Sequence, residues 1–293
     1  MRSHNVDPIR FEVVRNALLF ATEEMSVTLR RTAYSTNIKT RADFSCAFFD
    51  RHLRTVAQSF NQPVHLGSLA ELIPNVVREY GAENLGPGDG LLVNDPYLRG
   101  GHLNDITLIS PVHHEGVVHG YVANLAHHVD VGGGAPASIG AFREIFQEGV
   151  QIPGIKFVQA GEIIPDIFKL IMAQVRPKRE AAGDFRAQVA ANMTGIRRLG
   201  ELFDRFGSEV VLEYIDELID YTERRTRAEI AKLPRGECSA IGYLDDDGFT
   251  DVPVRLQARI EIGDDGILFD LSGSDCQRPA PVNAPYALTF AAC

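Results

Sequence analysis

Residues 94–111, NDPYLRGGHLNDITLISP, combine metal-ligand side chains with a tight turn. Asp95 precedes a Gly-Gly pair, His102 follows that pair at once, and Asp105 comes three residues later. Imidazole nitrogen and carboxylate oxygen are ligands that divalent ions accept. A catalytic site usually takes three or four such ligands and leaves one position for water or substrate. The stretch therefore predicts part of a metal site.

Two further stretches offer residues of the same types. ANLAHHVDVGG places His127 beside His128 in a predicted strand, and strand alternation sends these side chains to opposite faces. Only one of the two histidines can then join a given site. Asp43, in KTRADFS at the start of another predicted strand, is a fourth candidate ligand. Six of the 9 histidines fall within residues 102–128, which favours imidazole chemistry in this region.

The same residues also have a simpler interpretation. Asp95 before Pro96 is a common turn former, Asp105 could cap a backbone turn, and histidine pairs in strands are often surface residues. Both interpretations stay open on the residues alone. Other chemistries lack their motifs, because the sequence has no GxxxxGK[ST] loop, no GxGxxG loop between strand and helix, and no GxSxG elbow. Cys46 lies in a short apolar strand, which indicates a core residue rather than a nucleophile.

The elements that must position these residues change type along the chain. Residues 8–33 and 66–80 have helical periodicity, and Pro74 predicts a break in the second helix. Helical periodicity returns from Ile163 to Lys232, with charged outer faces. Short apolar or alternating stretches predict strands: SCAFFD, TVAQSF, LLVND, ITLISPV, VVHGYVANLAHHV, CSAIGYLDD, VPVRLQARIEI and GILFDLSGS.

We therefore predict an α+β fold in three parts. Residues 1–162 form a β-rich part with the metal-site motifs, residues 163–235 a helical segment, and residues 236–293 a β-rich part. The last stretch, APVNAPYALTFAAC, stops inside an apolar run. This ending predicts either a truncated chain or a buried final strand or helix.

Composition and charge restrict the class of protein. Hydrophobic residues make up 45% and charged residues 23% of the 293, as in ordinary globular proteins. The net charge of −10 argues against a nucleic-acid partner, because no basic excess neutralises phosphates. No apolar run has membrane-spanning length, the N-terminus is not signal-like, and the four cysteines show no paired spacing. We expect a cytoplasmic protein with no membrane partner.

A series of motifs resembles the hydantoinase B/5-oxoprolinase family, which includes the large subunits of acetone and acetophenone carboxylases. In chain order they are RADFSCAFFD, QPVHLGSL, NDPYLRGGHLNDITLISPV, AHHVDVGG, FQEGVQIPGIKF and FDLSGSDCQRPAPVN. The NDPY…GGHL.D block is the most specific. The resemblance extends from the first helix to residue 293. Family members normally continue further, which supports the expectation of a fragment.

The resemblance implies a set of site residues. One divalent ion (manganese, iron or zinc) has four ligands: Asp43, His102, Asp105 and His127. Four further residues are catalytic candidates that support the ligands or line the substrate pocket: His65, His128, Asp130 and Glu148. The chain departs from the family pattern at Gly101, where Thr or Ser is common, at Asn104, where Pro is common, and at Ala280, where Gly is usual. The first two departures leave the ligand set intact but bear on substrate choice. The third leaves the role of its loop undefined.

The implied activity belongs to a two-component, ATP-dependent enzyme. A hydantoinase A-type ATPase subunit phosphorylates the substrate carbonyl oxygen, and the B-type subunit completes the reaction in a hetero-oligomer. In hydantoinases and oxoprolinases, water opens the activated cyclic amide; in the carboxylases, an enolate attacks activated carbon dioxide. The first activity is the expectation and the second the alternative. A third hypothesis, a scaffold without catalysis, conflicts with four intact candidate ligands.

Overall fold

The computed structural model describes residues 7–264 and 266–293. The helices of this part are α1 (Pro8–Thr32), α2 (Thr36–Lys39), α3 (Pro63–Tyr80), α4 (Pro165–Gln174), α5 (Lys178–Phe206), α6 (Ser208–Ile230) and α7 (Tyr286–Ala292). The strands are β1 (Phe44–Asp50), β2 (Thr55–Gln58), β3 (Gly90–Val93), β4 (Asp105–His114), β5 (Val117–His127), β6 (Pro153–Gln159), β7 (Glu162–Ile163), β8 (Gly236–Leu244), β9 (Val254–Ile262) and β10 (Ile267–Asp270). The α+β prediction is confirmed.

A seven-stranded antiparallel sheet forms the centre, in the order β2-β1-β5-β4-β3-β6-β7. Alternation along its strands gives the sheet two apolar faces. One face packs with α1, α5 and α6 through Phe44, Cys46, Phe48, Val122 and Ala126. The other packs with α3 through Ala47, Phe49, Tyr121, Ala123 and Leu125. Cys46 is a core residue, as the sequence predicts.

Helix α1 begins with residues that favour a helix N-terminus. Asp7 accepts a hydrogen bond from the Ile9 N–H at 2.9 Å, and Pro8 occupies the first helical position, where no N–H is needed. Its buried residues Leu18, Met25 and Leu29 recur at helical spacing and face the core. The prediction of a helix over residues 8–33 is confirmed.

Helix α3 differs from the prediction in two ways. The break expected at Pro74 is wrong, because the helix continues through this residue to Tyr80. Burial of Leu69, Leu72, Ile73, Val76 and Val77 on the sheet offsets the hydrogen bond that proline cannot make. The helix also begins at Pro63, three residues before the predicted start. The earlier start places His65 in the first turn.

The chain after α6 forms a smaller antiparallel sheet, β10-β9-β8, and then returns to α3. A Cβ atom added to Gly67 of α3 would lie 2.4 Å from the Ala291 Cβ of α7, so glycine permits this close helix contact. The final segment is thus a helix. The secondary structure changes near residues 163 and 236, but α5 shares its core with α1, and the three-part domain division stays a prediction. No described helix has the length and apolar character required to cross a membrane.

Candidate metal centre

The register of three adjacent strands brings the predicted ligands to one end of the sheet. Asp105 begins β4, His127 ends β5, and the two are direct cross-strand partners. Asp43 immediately precedes β1, and its carbonyl oxygen accepts a hydrogen bond from the His127 N–H at 3.0 Å. Since β5 lies between β1 and β4, all three residues lie side by side.

A compact group of side chains surrounds the Asp105 carboxylate. His102 Nδ1 lies 2.7 Å from Asp105 Oδ2, and His127 Nδ1 lies 3.1 Å from Asp105 Oδ1. Ligand atoms of these three residues all lie within 4.8 Å of one another. The Asp105 side chain is 3% exposed and that of His102 is 50% exposed, so the site opens to solvent beside His102. This nitrogen and carboxylate donor set suits a divalent ion.

The side chain of Asp43 lies beside His65, a histidine from α3 that also lies beside Asp105. His65 Nε2 lies 3.6 Å from Asp43 Oδ1 and 3.9 Å from Asp105 Oδ1. His65 is buried, whereas the Asp43 side chain is 29% exposed. Three predicted histidines therefore adjoin Asp105, whereas Asp43 adjoins His65 and is outside the compact group of three.

The turn before Asp105 requires a glycine for steric reasons. A Cβ atom on Gly101 would lie 2.5 Å from Asp105 Oδ2 and displace the carboxylate. Asp95 accepts a hydrogen bond from the Tyr97 N–H at 2.8 Å, which is the turn-forming role that the simpler interpretation gives it. Asn104 donates to the carbonyl oxygens of His128 at 2.9 Å and Ala137 at 3.3 Å, so it joins the turn to the loop after β5.

The charges at this site are set by burial and by mutual contact. Burial raises the pKa of Asp105, but hydrogen bonds from His102 and His127 outweigh it and hold the pKa well below its usual range. Burial lowers the pKa of His102, but the Asp105 carboxylate outweighs burial and raises it. Burial lowers the pKa of His65, which favours its neutral form, the form that binds metals.

Glu148 adds a third acidic group, on the side of the site where His102 lies. Its pKa is raised by burial, while the electrostatic effect of His102 opposes this shift. Glu148 is thus close enough to His102 to interact electrostatically with it. A carboxyl group with a raised pKa is suited to proton transfer near neutral pH.

His128 and Asp130 are not brought to this group. His128 faces α5, where its Nε2 lies 3.0 Å from Gln188 Oε1 and its ring centroid is 4.5 Å from that of Phe185. Asp130 pairs with Arg176 at 2.8 Å. Burial raises the pKa of Asp130, but hydrogen bonds from Arg176 and backbone N–H groups outweigh it and lower the pKa. Both residues organise the loop after β5 rather than face an opening.

A line of buried polar residues on α5 supports the sheet behind the site, and our sequence analysis missed it. Gln188 Nε2 donates to the Ile106 carbonyl oxygen at 2.9 Å, and Asn192 Nδ2 to that of Leu108 at 3.0 Å. Asp184 accepts from the Tyr34 N–H at 2.8 Å. The sequence feature that could have revealed this line is the four-residue spacing of Asp184, Gln188 and Asn192, which places all three on one face of a helix.

Comparison with known proteins assigns the family. The profile of the hydantoinase B/oxoprolinase family matches residues 7–293. The chain is 39% identical over 98% of its length to an uncharacterised protein of Methanocaldococcus jannaschii, 33% over 99% to a 5-oxoprolinase of Pestalotiopsis fici, and 34% over 89% to the caprolactamase subunit beta of Pseudomonas jessenii. This protein belongs to the hydantoinase B/oxoprolinase family.

Two solved structures share the fold. The crystal structure of the ATP-dependent caprolactamase from Pseudomonas jessenii superposes with a TM-score of 0.91 at 33% identity, over 98% of this chain and 50% of that one. A nucleotide-free acetone carboxylase superposes with a TM-score of 0.90 at 19% identity, over 97% of this chain and 40% of that one, which shows the fold alone. The chain spans 51%, 23% and 45% of the lengths of the three relatives above.

Proposed function

We propose that this protein is the metal-dependent B-type subunit of an ATP-dependent cyclic amide hydrolase. Its substrate class is a hydantoin, 5-oxoproline or related lactam whose carbonyl oxygen is phosphorylated by a hydantoinase A-type ATPase subunit. The complex is a hetero-oligomer. We place it in the cytoplasm, where ATP is available and the four cysteines stay reduced.

The observation that carries the proposal is the group His102, Asp105 and His127, whose ligand atoms lie within 4.8 Å of one another. Asp43, at the end of the adjacent strand, is the fourth proposed ligand. The donor types fit manganese, iron or zinc. Such an ion would stabilise a developing oxyanion and lower the pKa of water toward neutrality.

The protein's own residues have separate roles in this proposal. Asp105 orients both His102 and His127, because each of its oxygens contacts one imidazole. Glu148 holds or delivers a proton at its carboxyl group beside the opening. His128 and Asp130 keep the loop after β5 in place from the opposite side of the strand. Their role is support without contact to substrate.

The relatives favour a cyclic amide over a ketone. Two relatives are named a 5-oxoprolinase and a caprolactamase subunit, at 33% and 34% identity. The acetone carboxylase shares the fold at only 19% identity. An ATP-dependent ketone carboxylase is therefore the second candidate function.

The experiment combines this protein with a hydantoinase A-type ATPase subunit. Purified complex is given ATP with caprolactam, 5-oxoproline or hydantoin, and separately with acetone or acetophenone plus labelled bicarbonate. Mass spectrometry then detects the ring-opened amino acid, and scintillation counting detects the carboxylated ketone. We expect ATP-dependent ring opening. Label in a keto acid without ring opening would contradict the hydrolase and support the carboxylase.

A further inference from the structure

His65 is a buried imidazole whose two ring nitrogens make no hydrogen bond among the described residues. Its residue exposure is 4%, and Nδ1 has no partner. Nε2 lies 3.6 Å from Asp43 Oδ1 and 3.9 Å from Asp105 Oδ1. Both separations are too long for hydrogen bonds. Nε2 thus faces two carboxylate oxygens at distances that leave room for a cation between them, which points to a missing binding partner on this side of the ring.

The separations fit a shared ion better than a hydrogen bond. Two atoms that bind one zinc ion at about 2.1 Å each are at most about 4.2 Å apart. Both contacts of His65 Nε2 with carboxylate oxygens are within this limit, although both are too long for a hydrogen bond. His65 Nε2 thus lies at ligand-to-ligand distance from both carboxylates, beside the compact group of three.

The position of His65 on α3 fixes the direction of its side chain. Pro63 begins the helix, and His65 is in its first turn, on the side that faces the sheet. Ser68, Leu69 and Leu72 are buried on the same side. The first turn of α3 thus directs the buried ring toward the carboxylates at the end of the sheet.

We propose that His65 Nε2 is an additional protein ligand of the divalent ion, bound between the carboxylates of Asp43 and Asp105. The inference rests on the proposed function, since it concerns the same ion. It makes α3 part of the metal centre. The ion then joins the first turn of this helix to the ends of β1, β4 and β5, and the sheet-end ligands alone bind it less tightly.

The test measures zinc affinity and the visible spectrum of cobalt-substituted protein, without a histidine tag. Metal-free protein is titrated with zinc against a chromophoric chelator. The cobalt spectrum is recorded because it responds to the number and type of ligand atoms. The variants are His65→Ala, His65→Gln and His102→Ala. The control, His119→Asn, changes a buried histidine of β5 at the end of the strand away from the site.

Loss of a group that only supports a ligand weakens metal binding about 10- to 100-fold. We expect His65→Ala to weaken zinc binding by about 100-fold or more and to change the cobalt spectrum. In His65→Gln the amide oxygen replaces the nitrogen, so zinc affinity partly recovers but the cobalt spectrum still differs from wild type. His119→Asn keeps both wild-type values.

Two results would overturn the proposal, and they are distinguishable. If His102→Ala loses zinc while His65→Ala binds it as wild type does, with an unchanged cobalt spectrum, His65 is no ligand and the proposed function stands. If wild-type protein binds neither ion, both proposals fail. Should His65→Ala not fold, the cobalt spectrum of His65→Gln decides: a wild-type spectrum contradicts the role of His65.

Discussion

At the scale of single residues, the candidate site depends on Asp105. Each of its carboxylate oxygens contacts a different histidine, and the side chain is almost completely buried. These contacts keep the carboxylate ionised, since its pKa is well below the usual range despite burial. A buried, ionised carboxylate beside three imidazoles is the charge distribution that a divalent cation requires.

Gly101 tests whether the position of this carboxylate matters, separately from its charge. Gly101→Ala removes no ligand, but its Cβ atom would lie 2.5 Å from Asp105 Oδ2. We expect zinc affinity to fall about 10- to 100-fold, as when a group that orients a ligand is lost. Competitive titration with a chelator measures it. Gly200→Ala, at a helical position with no atom within 4 Å of the new Cβ, is the control and should bind normally. Equal affinities in both variants would show that the turn does not position the carboxylate.

A variant of Glu148 can distinguish a loss of proton transfer from a loss of metal binding. Glu148→Gln should lower kcat for ring opening by about 100- to 10,000-fold, because the amide cannot transfer a proton. Metal content should stay at the wild-type level, since Glu148 is not a proposed ligand. Steady-state kinetics and elemental analysis on the same preparation provide both values. The exposed Glu162→Gln serves as the control. Loss of metal together with activity would contradict the assigned role.

At the scale of elements, the hairpin of β4 and β5 sets the site. Its turn uses Glu115 and Gly116 with φ of 51° and 78°, the mirror-image geometry that matches strand twist. The turn and one shift in register after Val112 place Asp105 opposite His127. A slip by one residue would send His127 to the α5 side of the sheet.

The site depends both on strand register and on packing between distant elements, so only part of it could be predicted from the sequence. The two strands follow from local patterns in ITLISPV and VVHGYVANLAHHV, and the structure has both strands. The residue types that could bind a metal are also visible in the sequence. The proximity of His65 to Asp105 does not follow from such patterns. It results from packing of α3 on the sheet, a contact between residues 40 positions apart along the chain. The polar line on α5 has the same origin.

A structural ion pair on the same sheet gives a prediction about pH. Asp89 Oδ2 lies 2.7 Å from Lys156 Nζ, and its carboxylate accepts hydrogen bonds from the N–H groups of Gly86 at 2.9 Å and Ala160 at 3.0 Å. Burial raises the pKa of Asp89, but these contacts outweigh it and lower the pKa. The stabilisation is therefore present above the usual aspartate pKa of about 4 and is lost as pH falls through the lower folded-state value.

We expect Asp89→Asn to reduce the free energy of unfolding by about 1.5 to 3 kcal/mol at pH 7, because charge-assisted hydrogen bonds are lost. The difference from wild type should shrink below about pH 4. Urea denaturation across this pH range measures it. Glu229→Gln, in an ion pair whose glutamate is 61% exposed, should have little effect. A difference that stays constant down to low pH would contradict the role of the ionised carboxylate.

At the scale of the whole molecule, the C-terminal segment returns to the helix that carries His65. Helix α7 packs on α3 at Gly67, and Arg99 stacks over Tyr286 with its Cζ 4.0 Å from the ring centroid. No local pattern predicts this contact, because it joins Gly67 and Ala291, which are 224 positions apart along the chain. Helix α7 packs on the side of α3 that faces away from the sheet, and the sheet packs on the opposite side.

Gly67→Leu tests this contact. The new Cβ atom would lie 2.4 Å from Ala291 Cβ and 2.7 Å from its Cα, and a backbone atom cannot move aside unless α7 moves. We expect α7 to separate from α3 and chymotrypsin to cleave after Tyr286 and Phe290 of this helix faster than in wild type. Gly200→Leu introduces the same side chain into open space on α5. Cleavage at equal rates in the two variants would show that α7 is not held by this packing.

We propose that one divalent ion is bound by Asp43, His102, Asp105 and His127. Elemental analysis of wild-type protein and His102→Ala, both purified without a histidine tag, tests this proposal. The proposed site predicts about one manganese, iron or zinc ion per wild-type chain and a large loss in the variant. Wild-type protein without metal after reloading with all three ions, or equal metal in both proteins, would contradict it.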